Sequence, residues 1–304
     1  MDFSKLPKDF LVTSIQYTKN VHSDQYPSID PARPELNLAG KVAIITGASR
    51  GLGAKAFAPA FVKSGVKGVV LLATQDEKLQ AVKEELNKIN PEVHILCLPT
   101  DITKASAVAS AFDRIKTKFG HADILINNAA INGDGDGVRL GDADPETWWS
   151  SFEVNGKGTF LMSQAFIQQL PTPDTPATII NLTSGASWKG SPMMAGYGLS
   201  KLVAQLQIPH IAALYPNITA IALHPGLLET DMLPESMRHF DLETPELVGG
   251  MAVWLSHPHA MFLSGRFVAG SWDVEELLAR KERILSSKDL TLELLGKFGP
   301  DHLV

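Results

Sequence analysis

The sequence predicts an α/β protein: a doubly wound, seven-stranded parallel sheet flanked by helices. Three observations carry this. From Lys41 onward, short β-branched or aliphatic runs alternate with longer helical patterns, the pattern that repeated βαβ units leave. The first run ends in a glycine-rich turn that opens a helix, Thr46-Gly47-Ala48-Ser49-Arg50-Gly51-Leu52-Gly53. No Pro- or Ser-rich linker breaks the alternation, so one domain is expected over residues 39–273.

In chain order, residues 1–38 scatter Pro and polar side chains without sustained periodicity and are expected to form an extended arm. Strands are expected at 42–46, 69–73, 93–98, 124–127, 178–182, 219–223 and 266–269. Helices are expected at 76–89, 105–118, 145–170, 196–214 and 245–255. Thr74-Gln75-Asp76-Glu77 has the form of a capping box, and Asp144-Pro145 puts Pro at a first helical position. Residues 274–304 are expected to form a C-terminal helical extension ending in an apolar tail.

Composition excludes several function classes. A chain of 304 residues, 44% hydrophobic and 20% charged, suffices for one large core. A net charge of -6 without basic clusters argues against a nucleic-acid partner and gives no footing on an anionic membrane. Cys97 is the only cysteine and lies in an apolar run, so a buried, inert thiol is expected. The N-terminus lacks a signal-peptide apolar region and no long uncharged apolar run appears, which makes a cytoplasmic location the expectation. His94 lies in an apolar strand and His257 and His259 flank Pro258, without metal-ligand spacing; no metal is expected.

Two motifs carry chemistry. Backbone N–H groups of a strand-to-helix turn, together with the helix dipole, attract an anion, and glycine lets a pyrophosphate come close. On that reading Thr46, Gly47, Ser49, Arg50, Gly51, Leu52 and Gly53 hold a dinucleotide, although the glycines alone equally describe a tight turn. Tyr197 and Lys201 are four apart and project from one helix face. A phenol with a reference pKa near 10 becomes an acid–base catalyst at neutral pH when a nearby ammonium stabilises its anion, a lowering of about 3 units being worth roughly 4 kcal/mol. By itself, such a pair more often marks an amphipathic helix face.

The spacing Thr-Gly-x-x-x-Gly-x-Gly, followed by Tyr-x-x-x-Lys, resembles the short-chain dehydrogenase/reductase family, and the resemblance runs from about residue 37 to 273. It implies a Rossmann-like fold and an NAD(P)-dependent oxidoreductase acting on CH–OH or C=O groups. It further implies that Asp101 and Ile102 meet the adenine ring and that Asn128 and Ala129, after Asn127, lie beside the adenosine ribose. Pro225, Gly226, Leu228 and Thr230 would contact the nicotinamide carboxamide and pyrophosphate. Tyr197 and Lys201 would both touch the cofactor and act in catalysis. Ser184, thirteen residues before Tyr197, matches the Ser that binds the reacting oxygen, with Thr183 and Ser187 as rivals. Asn155 matches the residue that fixes a water linking the Lys to solvent. Without the resemblance, Asp101 reads as a helix N-cap and Asn127 and Asn128 as a turn. The family usually has Gly where this chain has Ala130.

An acid at the end of the second strand would bind the ribose diol and repel a 2′-phosphate. Ala73 and Thr74 stand there instead, and Arg50 matches a position where a basic residue often accompanies NADP(H), although it also reads as a solvated charge. NADP(H) is therefore favoured, and Asp76 keeps NAD(H) open. Trp188, Met193, Met194, Leu227, Leu228, Met232 and Leu233 fall in loops expected around the reacting carbon, pointing to a mid-sized, largely apolar ketone or secondary alcohol. Arg139 or Lys189, turned inward, would overturn that by meeting an anion. Relatives often pair through helices matching 145–170 and 196–214, which implies a homodimer or homotetramer. The N-terminal arm and the tail resemble a fungal-type subgroup of metabolic reductases. The alternatives are a catalytically silent dinucleotide-binding scaffold or sensor, and a methyltransferase, in which the Tyr197/Lys201 pair would have no task.

Overall fold

All seven aliphatic runs form strands in the computed structural model, which describes residues 5–133, 135, 137–188 and 194–296. They are β1 (Val42–Thr46), β2 (Gly68–Ala73), β3 (His94–Pro99), β4 (Ile124–Asn127), β5 (Ala177–Leu182), β6 (Ile218–His224) and β7 (Arg266–Ala269). The order β3-β2-β1-β4-β5-β6-β7 makes one parallel sheet. The order in which strands are added reverses between β1 and β4, which opens a crevice beyond their carboxyl ends.

Alternation along β1 divides the core between the two faces. Ala43 and Ile45 pack with Phe57, Phe61 and Met251, whereas Val42 and Ile44 pack with Phe112, Ile115 and Phe166. All five β1 residues are buried, as a sheet covered on both faces requires. The covering helices include α2 (Ala58–Lys63), α3 (Asp76–Ile89), α4 (Ala105–Phe119), α7 (Ala195–Leu214) and α8 (Pro245–Leu255).

The expected 145–170 helix is three pieces: α5 (Pro145–Ser151), a π-helical segment (Phe152–Gly158) and α6 (Thr159–Gln168). Asp144 caps α5 by accepting from Thr147 N, and Pro145 occupies its first position. The capping box before α3 does not form: Gln75 is the N-cap in extended conformation and no side chain accepts there. Asp101 is no helix cap either, since α4 starts after Lys104.

The arm is more structured than an extended segment. It carries the short helix α1 (Phe10–Thr13) and two 3-10 turns, Pro27–Ile29 and Pro34–Leu36, whose Ile29 and Leu36 are buried in the core. Val21 bridges Trp272 antiparallel, bringing the arm beside α9 (Val274–Ala279) and α10 (Lys281–Ser286). Among the described residues, no helix is long and apolar enough to cross a membrane.

Candidate active site

The cavity beyond the switch point has a volume of about 690 Å³. Its glycine-rich wall is shaped by close backbone approach. Gly47 has φ +66°, where an added Cβ would lie 2.8 Å from Ala129 Cα; at Gly53 it would meet Gly47 O at 2.4 Å. Thr46 is buried behind this wall, its Oγ1 accepting the N–H groups of Asn128 and Ala129, each at 3.0 Å. Asn128 returns a bond from Nδ2 to Thr46 O at 2.8 Å. The strand ends β1 and β4 are thereby tied together. Gly47, Ser49, Arg50, Gly51 and Leu52 line the cavity; Thr46 and Gly53 support it from behind.

Ala73, Thr74, Asp101, Ile102, Asn128 and Ala129 continue the lining, as do Pro225, Gly226, Leu228 and Thr230. Thr103 donates from its N–H and its hydroxyl to Asp101 Oδ1, at 2.9 and 2.7 Å, and these bonds hold the Asp101 carboxyl below its ordinary range. Asn127 is buried instead, donating to Ser163 and Asn181. Asp76 lies at the start of α3, where Gln80 donates to it, and is not part of the lining. Arg50 pairs with Asp231 at 2.9 Å, joining the glycine loop to the segment after Thr230. The residues present fit a dinucleotide: Gly47 and Gly51 put bare backbone on the lining where a pyrophosphate would lie.

Ser184, Tyr197 and Lys201 come together on the same cavity. Ser184 and the Tyr197 phenol are hydrogen-bonded. Lys201 Nζ donates to Leu182 O at 2.8 Å and stands 5.9 Å from the Tyr197 ring centroid. The rivals of Ser184 are committed elsewhere: Thr183 and Ser187 both donate to Gln205 Oε1, at 2.8 and 2.6 Å. Burial dominates the titration of the pair, pushing Tyr197 up to about 12 and Lys201 down to about 8, while the Ser184 bond pulls the phenol the other way. Lys201 therefore does not lower the phenol by itself, and the expected lowering falls to Lys201 acting together with an oxidised nicotinamide. Desolvation of the phenolate outweighs an ammonium that sits toward the ring and is itself desolvated.

Asn155 does not line the cavity. It sits in the π-helical segment, a bulge type frequent at functional sites, which resolves the poor fit of an Asn-Gly pair to a regular helix. Its Oδ1 accepts Ile131 N at 2.9 Å, and its Nδ2 donates to Ile131 O at 2.8 Å and Ser200 Oγ at 2.9 Å. Asn155 therefore clamps the lining residue Ile131 to the helix that bears Tyr197.

Of the residues expected at the substrate, Met194, Leu227, Leu228, Met232 and Leu233 line the cavity. Trp188 does not: it packs edge-on against Phe267 on β7, centroids 4.5 Å apart. Arg139 is turned to solvent and bound to Asp142, so it meets no ligand here. Met193 and Lys189 lie outside the described residues. Among the described residues, no group of three His, Cys, Asp or Glu is placed to hold a metal.

Several lining residues escaped the sequence. His224, directly before Pro225, has a buried Nδ1 without a hydrogen-bond partner, and burial pushes it down to about 4. Glu243 is buried against Gly226, and burial pushes its carboxyl up to about 7. Phe10, Leu11, Ser14 and Ile15 of the arm also face the cavity. Only the Pro-Gly pair beside His224 offered a signal.

A family model described as short chain dehydrogenase matches residues 41–239. The chain is 33% identical over 288 residues to the short chain dehydrogenase citE of Monascus ruber, covering 92% of this chain and 96% of that protein. It is 30% identical over 302 residues to the short chain dehydrogenase pigC of the same organism, covering 95% of each. A crystal structure of a short chain dehydrogenase from Bacillus anthracis superposes with TM-score 0.68 at 28% identity, covering 76% of this chain and 95% of that one.

Proposed function

The chain belongs to the short chain dehydrogenase family of oxidoreductases, and on that premise we propose that it moves hydride between NADP(H) and a mid-sized, largely apolar ketone or secondary alcohol, with Tyr197 as the acid–base residue. The observation that carries the reading is the hydrogen-bonded Ser184–Tyr197 pair beside Lys201, on the cavity that the glycine loop also lines.

A dinucleotide held along the glycine-loop wall would supply the hydride. The chain's own part is to hold the substrate oxygen between the hydroxyls of Ser184 and Tyr197 and to deliver the phenolic proton as alkoxide character develops. A phenol pushed up to about 12 keeps its proton at neutral pH and is ready to donate it. Lys201, an ammonium below about 8 and 5.9 Å from the Tyr197 ring centroid, is assigned the balancing of the phenolate that remains. Alcohol oxidation runs the same transfers backwards. Asn155, by fixing Ile131 and Ser200, positions the helix for this.

Preference for the 2′-phosphate is supported by Ala73 and Thr74 lining the cavity where an acid would repel it, by Arg50 in the same lining, and by Asp76 outside it. An apolar substrate is supported by Met194, Leu227, Leu228, Met232 and Leu233. Assembly as a homodimer or homotetramer is supported by exposed Trp149, Phe160, Leu199, Val203 and Leu206 on α5, α6 and α7.

The test is Tyr197→Phe assayed with NADPH and a ketone panel. Turnover should fall by about 10²–10⁴-fold with dinucleotide affinity unchanged. Activity within tenfold of the parent overturns the acid–base role, and a parent that binds dinucleotide yet turns over nothing points to the scaffold.

A further inference from the structure

The cavity that holds Ser184 and Tyr197 is completed by a part of the chain outside the stretch that the family model matches, which begins at residue 41. Helix α1 contributes Phe10 and Leu11 to its lining, and the turn after it contributes Ile15. We infer that this arm is the substrate-selecting wall of the cavity, with Phe10 and Leu11 contacting the apolar body of the ketone remote from its carbonyl. The inference rests on the ketone-reductase reading above and deepens it.

The arm is fastened on both sides of α1. Before it, Lys8 O accepts the Asp241 N–H at 3.0 Å, tying the arm to the loop that carries Met232 and Met237. After it, Trp272 Nε1 donates to Ile15 O at 3.0 Å and the Trp272 ring lies 5.4 Å from that of Tyr17. Tyr17 then donates its hydroxyl to Asp289 at 2.8 Å, and its carbonyl accepts from Arg280. Glu276 receives the backbone N–H groups of Lys19 and Asn20 at 2.6 and 2.8 Å. Helix α9 and the residues flanking α9 and α10 therefore serve the cavity indirectly, by holding the wall in place before substrate arrives, so that little ordering entropy remains to oppose binding.

The chemistry of the wall is apolar. Phe10, Leu11 and Ile15 bring no charge, and Ser14 uses its hydroxyl on Leu11 O at 3.3 Å. On the loop tied to the arm, Met232, Leu233 and Met237 line the same cavity. An aromatic ring and flexible thioethers accept broad, apolar, ring-containing ketones and leave a short aliphatic ketone without remote contact. Binding energy gained remote from the carbonyl is expressed at the reacting centre, so loss of the wall lowers kcat/KM for large substrates selectively.

Two variants test this in the full chain, Phe10→Ala and Leu11→Trp, assayed with NADPH on 2-tetralone and on butan-2-one. Phe10→Ala removes contact and Leu11→Trp takes up space. Each should lower kcat/KM for 2-tetralone about tenfold or more while changing butan-2-one less than threefold and leaving the NADPH dissociation constant as in the parent. Equal loss on both ketones, or no loss on either, overturns the inference. A parent inactive on every ketone refutes the functional reading instead. The wall is then tested by Nile red, a neutral apolar probe, whose binding both variants should weaken at least fivefold; unchanged binding overturns the inference on its own.

Discussion

Glu243 and Leu227 grip each other twice: Glu243 Oε2 accepts the Leu227 N–H at 2.7 Å, and the Glu243 N–H donates to Leu227 O at 2.8 Å. Between them lies Gly226 at φ +89°, where an added Cβ would come within 2.5 Å of the Glu243 carboxyl carbon. The Pro225–Leu228 turn thus takes its shape from a buried side chain with an acid–base equilibrium of its own.

That equilibrium predicts how stability varies with pH. Burial raises the folded-state value of Glu243 from 4.5 to about 7, so the folded protein binds the extra proton between those values. The stability from this proton is fully present below about 4.5 and is lost as pH rises through about 7, by up to about 3 kcal/mol. Glu243→Gln keeps an acceptor for Leu227 N–H without the charge. Thermal unfolding of the variant should show a flatter dependence of Tm on pH between 5 and 8 than the parent; identical slopes contradict the assignment.

Lys201 predicts a limb in the rate profile. It is an ammonium below about 8 and loses its proton above. For ketone reduction, kcat/KM should be level up to about 8 and fall at higher pH, since this ratio reports the free enzyme. A profile level to pH 9.5 would show that Lys201 stays charged or that its charge is not used.

Arg50 and Asp231 predict the cofactor balance. Their ion pair is exposed at 62% and 74%, so it is screened and yields readily to a phosphate. Arg50→Ala should cost NADPH about tenfold in kcat/KM and leave NADH unchanged, Asp231→Ala should favour NADPH a few-fold, and Ala73→Asp should reverse the order of the two cofactors. Equal efficiency with NADPH and NADH in the parent sinks the 2′-phosphate reading.

The exposed face of α7 predicts assembly. Leu199, Val203 and Leu206 follow helical spacing along one side, near Phe160 and Trp149 in sequence-adjacent elements of the same layer. Sedimentation should show an oligomer at micromolar concentration, and Leu199→Glu with Val203→Glu should shift it to monomer. A parent that sediments as monomer at that concentration removes the proposal.

The strands were legible because most are short β-branched or aliphatic runs, the pattern of parallel strands buried on both faces. The 76–89 helix kept its expected bounds although Thr74, exposed beside the cavity, does not cap it, whereas the 145–170 helix is interrupted by a π-helical segment around Asn155 that periodicity cannot foresee. Gathering Ser184, Tyr197 and Lys201 rested on the family resemblance, because spacing by itself left the Tyr197–Lys201 pair as an amphipathic helix face. Trp188 was misjudged because its partner Phe267 sits on the last strand, and nothing local distinguishes an aromatic that lines a cavity from one that packs behind it. Glu243 and the arm were illegible for the same reason: a lone acid and a four-residue helix have no period, and their meaning comes from contacts distant in sequence.

The fastening of the arm also has a temporal side. Tyr17 finds Asp289 across 272 positions of chain, and Ile15 finds Trp272 across 257. Loops of that span close late, after the local βαβ units have condensed. During synthesis Tyr17 and Ile15 emerge long before Asp289 and Trp272, so the wall that the arm forms is the last part of the cavity to be fastened.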